Sequence, residues 1–492
     1  MTQSKPHAVE THGQSVYPRI GLFIDGAWIY DHQSRQEVRN PSNEEVLATV
    51  PQASADDLER AVNAAARGFL TWRDTAPEER VAIIRKAVGL LRERAETVAQ
   101  IITLENGKTL ADARAEVERS ASFFDWDTAE SLRNYGMIVP GEPQMQKFIL
   151  RQPIGPVAAF TPWNVPLSSP SRKLSGALSA GCSIILKAAE ETPGAACALV
   201  QCFADAGLPD GVLNLVFGNP GHISSTLIAS PVTRLVTLTG SVNVGKHLTQ
   251  LAAAAMKPVL MELGGHAPVL VCADVDASAV GRLAASGKTR VNGQICASPS
   301  RFIVHRDVYQ EFVAAFADAA KNIRVGDGFA PDVQMGPVAS ARRLAAMQSL
   351  VDDAKRRGAR VAAGGHRIGE RGYFFAPTVL ADVPLNADAM TMEPFGPVGA
   401  CVPVADLEEG IALANSLSVG LAGYAFTNSL EEAERIGRCL ECGVLSINHF
   451  GAGDADVPFG GVKESGIGRE GGPNSLDAYT VTKTVLQRTW RV

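Results

Sequence analysis

The sequence predicts an α/β protein made of two parallel-sheet domains and a small β arm. Between residues 150 and 265, and again up to about residue 446, short and nearly continuous apolar runs alternate with helical patterns, as in a parallel sheet covered on both faces. The chain has 492 residues, more than one core ordinarily organises, since single domains stop growing at roughly 250 to 300 residues. Near the end, AYTVTKTVLQ alternates apolar and polar residues without an obvious partner nearby.

Taken in order, residues 1 to about 18 are polar and read as a loose arm. GLFIDGAWI carries Asp25-Gly26, the strongest short signal for a β-hairpin. ADDLERAVNAAARGFLTW and PEERVAIIRKAVGLLRERAETVAQIITLENG space apolar residues by three and four, so both are helical. The second pattern is read as running from Pro77 to just before Gly107. PVAAFT, SIILKA, LNLVFG, RLVTLTG and PVLMELG are the strands of a first sheet. Such sheets bind ligands at the carboxyl ends of their strands, and Asn164, Lys187, Gly218, Gly240 and Glu262 fall there. RFIVH, GPVGACVPV, AGYAFT and GVLSIN supply a second sheet, so a cleft is expected between the two. FILRQ at 148 to 152 is the candidate partner of AYTVTKTVLQ, and a protruding strand pair favours self-association.

Lys plus Arg number 46 against 52 Asp plus Glu, a net charge of -6, so no broad positive field draws the chain to nucleic acid or anionic lipid. Aromatics are 6% and not interleaved with basic clusters, which also leaves nucleic-acid binding without support. A small-molecule partner is expected. The polar start has no apolar core of a leader, and no run of roughly 18 apolar residues occurs, so a cytoplasmic protein without a membrane span is expected. The eight cysteines are scattered and form no disulfide framework. Cys439 and Cys442 make a lone CxxC with no second pair to complete a zinc site, and the nine histidines show no HExxH, so no catalytic metal is expected.

Three segments carry chemistry. In Val291-Asn292-Gly293-Gln294-Ile295-Cys296 a thiol follows a flexible polar turn through which backbone amides can approach a reacting carbonyl. The plain alternative is a buried apolar cysteine. Met261-Glu262-Leu263-Gly264-Gly265 ends an apolar strand on a carboxylate, where burial can raise its pKa toward that of a general base; a surface charge is the alternative. Pro162-Trp163-Asn164-Val165-Pro166 holds an amide between two prolines, able to donate to an oxyanion or simply to stiffen a loop. Gly240-Ser241-Val242-Asn243-Val244-Gly245-Lys246-His247 comes close to a P-loop, but His247 stands where a magnesium-holding Ser or Thr is needed, which argues against nucleotide hydrolysis.

Together with EPFGPV at 393 to 398, these segments resemble the aldehyde dehydrogenase superfamily, in order and from about residue 20 to 488. The resemblance implies a Rossmann-like parallel-sheet cofactor domain (1–130 and 151–262), a second α/β catalytic domain (263–446) and a small β oligomerisation arm (131–150 and 474–492). It implies Cys296 as nucleophile, Glu262 as general base, and Asn164 with the Cys296 N–H as oxyanion hole. It places Lys187 and Glu190 on the adenosine ribose, Gly218 and the Gly240-Ser241 turn along the cofactor, Glu393 on the nicotinamide ribose and Phe395 beside the ring. Ala188 stands where the family often has Pro. Glu190 accepts hydrogen bonds from a 2′-hydroxyl and repels a 2′-phosphate, so NAD is expected over NADP. A carboxylate at 262 favours hydrolysis to the free acid over transfer to coenzyme A. A scaffold protein without catalysis would have lost Cys296, Glu262 or Asn164, and all three are present.

ELGGHAP, VKESGIGREGG and RFIVH bring the chain closest to succinate-semialdehyde and 2-oxoglutarate-semialdehyde dehydrogenases. Arg172 and Arg290 fall where those enzymes grip a far carboxylate, implying a carboxylated semialdehyde as substrate; ordinary surface ion pairs are the alternative. The segment 448–456, which lines the substrate mouth in the family, departs from that group. It carries Asp454 and Asp456 and no Ser, which keeps a bulkier aliphatic or aromatic aldehyde open. A homodimer or homotetramer is expected.

Overall fold

A computed structural model describes residues 16–488, so the loose arm read at the amino terminus lies almost wholly outside the described residues. Eight strands form the first sheet, in the order Ala27–Ile29, Leu22–Ile24, Leu213–Val216, Ile184–Lys187, Val157–Phe160, Leu235–Gly240, Val259–Leu263, Gly466–Ile467. The five from Leu213–Val216 to Val259–Leu263 are parallel, as their apolar runs predict. At one edge lies the Asp25-Gly26 hairpin, whose two turn residues take φ of 54° and 78°, the left-handed pair that a tight hairpin needs.

From Val157–Phe160 the chain winds outward one way through the next two strands, then crosses back to place Leu235–Gly240 on the other side. Strand order therefore reverses between Phe160 and Gly240. At such a switch point the connecting helices diverge and leave a crevice beyond the carboxyl ends.

Seven strands make the second sheet, in the order Arg360–Ala363, Thr378–Ala381, Val398–Val404, Arg301–His305, Pro268–Val271, Ala422–Phe426, Val444–Ile447. Only the first pair is antiparallel. Three of its strands, at 268, 360 and 378, were not among those read from the sequence. After this sheet the chain returns to the first one, where Gly466–Ile467 pairs with Met261 and Glu262. The predicted arm pairing is present: Thr480–Arg488 runs antiparallel to Met145–Pro153 over nine residue pairs, with Met137–Val139 as a third strand.

The long helical pattern from Pro77 to Gly107 is two helices, Pro77–Glu93 and Ala95–Asn106. They break at Arg94, whose φ of -96° and ψ of 11° leave the helical region while its guanidinium pairs with Asp205 at 2.7 Å. Proline opens the first of them and Gly107, at φ 83°, closes the second. Leu110–Ser131 then packs on Ser168–Ala180, the helix that starts just beyond Asn164. Trp72, fully buried, donates its indole N–H to the Leu178 carbonyl at 2.9 Å and anchors the Ala55–Asp74 helix on the same layer. No helix among the described residues is long and apolar enough to cross a membrane.

One buried ion pair ties this helical layer to the crevice. Lys108, with no exposed surface, bonds to the Glu116 carboxylate and donates to the Asn164 carbonyl at 2.9 Å. Glu116 accepts in turn from the Leu167 and Ser168 amides at 2.9 and 3.0 Å. Removing one partner of a buried pair strands the other charge without solvent. Lys108→Met should therefore lower unfolding stability by about 3 to 5 kcal/mol in chemical denaturation, whereas a loss below about 1 kcal/mol would show that the pair is not structural.

Candidate active site

The crevice at the switch point is a cavity of about 390 Å³. Its floor comes from residues at or just past three strand ends: Pro162 to Val165, Thr239 to Ser241, and Glu262 to Gly264. The turn carrying Cys296 closes one side, with Glu393 and Phe395 beside it. Asn164, Glu262 and Cys296, more than a hundred residues apart at the extremes, thus share one space.

The turn before Cys296 is not flexible, as its sequence suggested. Val291, Asn292 and Gly293 take φ of 49°, 57° and 70°, three successive left-handed residues. A β-branched side chain is strained in that region. Hydrogen bonds hold the turn in place: Asn292 accepts from the Gly336 N–H and donates to the Pro337 carbonyl, both at 2.8 Å, and Gln294 accepts from the Ala339 N–H at 3.0 Å. At Gly293 a Cβ would sit 2.5 Å from the Gly396 backbone, so only glycine fits. Burial pushes the Cys296 thiol up to about 12, with Glu393 and Glu262 adding to it, so at neutral pH the sulfur holds its proton.

Asn164 is clamped from both ends. Lys108 and Asn106 donate to its carbonyl at 2.9 and 3.4 Å, and Asn106 also bonds to the Trp163 carbonyl at 3.0 Å. Its side-chain NH₂ donates one proton to the Gln294 carbonyl at 2.8 Å, binding the prolyl loop to the cysteine turn. One amide proton remains as a donor for a ligand.

Glu262 is 3% exposed, and neither of its oxygens has a hydrogen-bond partner among the described residues. Space for the carboxylate exists because Gly460 lacks a side chain: a Cβ there would lie 2.7 Å from Oε1. Desolvation raises the Glu262 pKa well above the usual carboxylate range, and the Glu470 charge raises it further, while Lys173, Arg469 and Arg172 pull the other way. Glu470 is itself held by buried Lys173 at 2.6 Å. On the opposite side, burial raises Glu393 to about 8 and lowers buried Lys288 to about 7.

Lys187, Glu190 and Gly218 do not line this cavity but form a cluster at the ends of neighbouring strands. Lys187 bonds to Glu190 at 2.6 Å, and Glu190 accepts from the Gly218 N–H at 2.8 Å. At the edge of the cavity, Ser241 caps the Val242–Ala254 helix, accepting from the Val244 N–H at 3.4 Å, and the first turn is largely exposed. A strand-end carboxylate, an open helix N-terminus and the aromatic ring of Phe395 together fit a dinucleotide. Phe395 meets Trp163 edge-on at 5.5 Å, and Arg343 holds its carbonyl at 3.1 Å.

Arg172 and Arg290 both line the mouth of the cavity. Arg172 donates to the carbonyls of Gly453 and Asp454 at 3.1 Å each and lies 3.6 Å over the Phe123 ring. Gly471 makes room for it, since a Cβ there would meet the guanidinium at 2.3 Å. Arg290 reaches the Phe450 carbonyl at 3.4 Å. From the 448–456 segment, Ala452 and Gly453 reach the cavity, whereas Asp454 and Asp456 are exposed, and Asp454 meets Arg172 through its backbone carbonyl. Lys108, Glu116, Lys173, Glu470 and Arg119 went unread in the sequence, because their partners lie far along the chain. Cys272, Asp274 and Glu432 group outside the cavity, but Asp274 and Glu432 are already acceptors for Thr427 and Asn428.

Comparison with known proteins agrees with this arrangement. The aldehyde dehydrogenase family matches residues 28–485. A putative 4-(hydroxymethyl)benzenesulfonate dehydrogenase from Comamonas testosteroni is 47% identical over 94% of this chain and 97% of its own. The NADP(+) succinate-semialdehyde dehydrogenase of Escherichia coli K12 is 37% identical over the same shares, 94% and 97%. The crystal structure of betaine aldehyde dehydrogenase from Staphylococcus aureus in complex with NAD+ superposes with a TM-score of 0.93, at 32% identity over 96% of both chains. This chain accordingly belongs to the aldehyde dehydrogenase family and is an NAD(P)-dependent oxidoreductase acting on aldehydes.

Proposed function

We propose that Cys296 is the nucleophile, Glu262 the general base, and Asn164 with the Cys296 N–H the oxyanion hole, in the oxidation of an anionic aldehyde to its acid. The observation that carries this is a buried carboxylate with no hydrogen-bond partner among the described residues, in the same cavity as a thiol that follows a strained, hydrogen-bonded turn. The sulfur attacks the aldehyde carbon, forming the C–S bond, and its proton passes to a base in the cavity. The carbonyl oxygen becomes an alkoxide, held by the spare Asn164 N–H and the backbone. A bound NAD(P) supplies the hydride acceptor that collapse of this alkoxide to a thioester requires. Glu262 then takes a proton from water, the water oxygen bonds to the acyl carbon, the C–S bond breaks, and the sulfur regains a proton.

Lys187, Glu190, Gly218, Gly240, Ser241, Glu393 and Phe395 would hold the dinucleotide, and we assign cofactor binding to 1–130 with 151–262 and the thiol to 263–446. Because Lys187 is already spent on Glu190, this pair offers a 2′-phosphate no free cation, which supports NAD over NADP. The arm exposes Tyr135, Met137, Ile138 and Leu486, a surface suited to a second copy of the chain. The substrate reading is an aldehyde with an anion at its far end. Arg119, Arg172 and Arg290 line the cavity, while burial raises Glu393 to about 8 and so favours its neutral form. A carboxylated semialdehyde of the succinate or 2-oxoglutarate type is the first form; an aromatic sulfonate is the second, favoured by the 47% identical relative.

Cys296→Ala should abolish NADH formation, and Glu262→Gln should give one fast turnover and then stall; steady turnover in either would remove that residue from its role. Since Glu262 has to be ionised to hydrolyse the thioester and burial raises its pKa, kcat should climb with rising pH at values above those at which an ordinary carboxylate ionises. Glu470→Gln should move that rise to lower pH, and an unchanged profile would mean the Glu470 charge does not reach the base. In a panel of aldehydes matched for size, anionic members should show kcat/KM at least about tenfold above neutral ones, the worth of one charged hydrogen bond, and parity would refute the substrate reading.

A further inference from the structure

The anionic-aldehyde reading above leaves open which group meets the anion, and the structure points away from the two arginines singled out first. One face of the Leu110–Ser131 helix looks into the cavity through Asp112, Glu116, Arg119 and Phe123, spaced by four, three and four residues. Arg172 is committed there: two backbone carbonyls occupy one of its terminal nitrogens, its face covers Phe123, and Gly471 packs against it. Arg290 is exposed and touches the Phe450 carbonyl.

Arg119 differs from both. It is half-buried, lines the cavity, and its guanidinium has no hydrogen bond and no ion pair among the described residues. The acidic residues on its own helix are engaged elsewhere. Asp112 accepts from the Val291 N–H at 3.2 Å, Glu116 is consumed by Lys108 and two amides, and Glu118 pairs with Arg92 at 2.9 Å. Its charge is felt by Arg172, so the two cations are neighbours. A half-buried guanidinium with five unspent donors, one helical turn from an aromatic ring, is a receptor for an oxyanion carried on a flat or extended skeleton.

We propose that Arg119 is the specificity-determining residue that binds the far anion of the substrate, carboxylate or sulfonate, while Arg172 positions Phe123 and the 453–454 loop and Arg290 adds charge at the rim. The anion takes a bidentate hydrogen bond from Arg119, and the skeleton runs through the shared cavity to Cys296. No bond is made or broken in this step.

The test measures kcat and KM of the full-length enzyme with 4-formylbenzoate, 4-formylbenzenesulfonate, succinate semialdehyde and the neutral 4-formylbenzamide. For Arg119→Ala, KM for the anionic aldehydes should rise about 10- to 100-fold with kcat nearly unchanged, and the neutral amide should be untouched. Arg119→Lys should recover part of the loss, and added salt should raise the wild-type KM for anions but not that of the alanine variant. Arg172→Ala should impair charged and neutral aldehydes alike. The carboxylate and sulfonate arms tell which oxyanion is preferred. Equal losses for charged and neutral substrates in Arg119→Ala, or a selective loss only in Arg172→Ala or Arg290→Ala, would overturn the assignment. Should the wild type show no preference for anions at all, the substrate reading itself fails; a preference that survives Arg119→Ala sinks this inference alone. Arg119→Gln, with its unfolding midpoint compared to wild type, separates lost binding from lost fold.

Discussion

A carboxylate kept out of water without a hydrogen bond is among the least favourable groups a folded chain can hold, and Glu262 is one. The surroundings then make it worse by setting Glu470 nearby. Such an arrangement persists only because the fold holds it from many sides. The strand Val259–Leu263 is fixed between Leu235–Gly240 and Gly466–Ile467, and the missing side chain at Gly460 leaves the one space the carboxylate fills. Chemically, the result is a group that gains by taking a proton, which is what hydrolysis of a thioester asks of its neighbour.

The rest of the site is organised around that group by buried cations rather than by exposed ion pairs. Lys173 keeps Glu470 in place, and Lys108, through Glu116, fixes the loop bearing Asn164. Asn164 in turn bonds to the turn bearing Cys296. The left-handed run at 291 to 293 is local strain that no isolated peptide would keep, and it is maintained by hydrogen bonds from the 336–339 segment. Stability is thus spent on holding three side chains in one cavity between two sheets. Arg172 is fixed in the same way, by two carbonyls and an aromatic face.

How much of this was legible in the sequence follows from how local each signal is. The Asp25-Gly26 hairpin and the five parallel strands are written in turn chemistry and apolar runs a few residues long. The residues just past the strand ends stood out because a parallel sheet gathers ligands there. What was missed depends on contacts between distant segments. Arg94 gives no hint of Asp205, over a hundred residues on, nor Lys173 of Glu470. Val291 reads as an ordinary strand-former until its partners impose the opposite hand on it. Arg119 looks like one more surface charge on an amphipathic helix until the helix face is seen to open into the cavity.

The central claim is that one sulfur, at position 296, carries the acyl group between oxidation and hydrolysis. It is tested most directly by acid-quenching the Glu262→Gln variant after mixing with aldehyde and NAD, then locating the covalent adduct by peptide mass spectrometry. An acyl mass on the peptide containing Cys296, in step with the NADH formed, is the predicted result. Hydride transfer without any adduct on that peptide, or with the adduct on another cysteine, would contradict it.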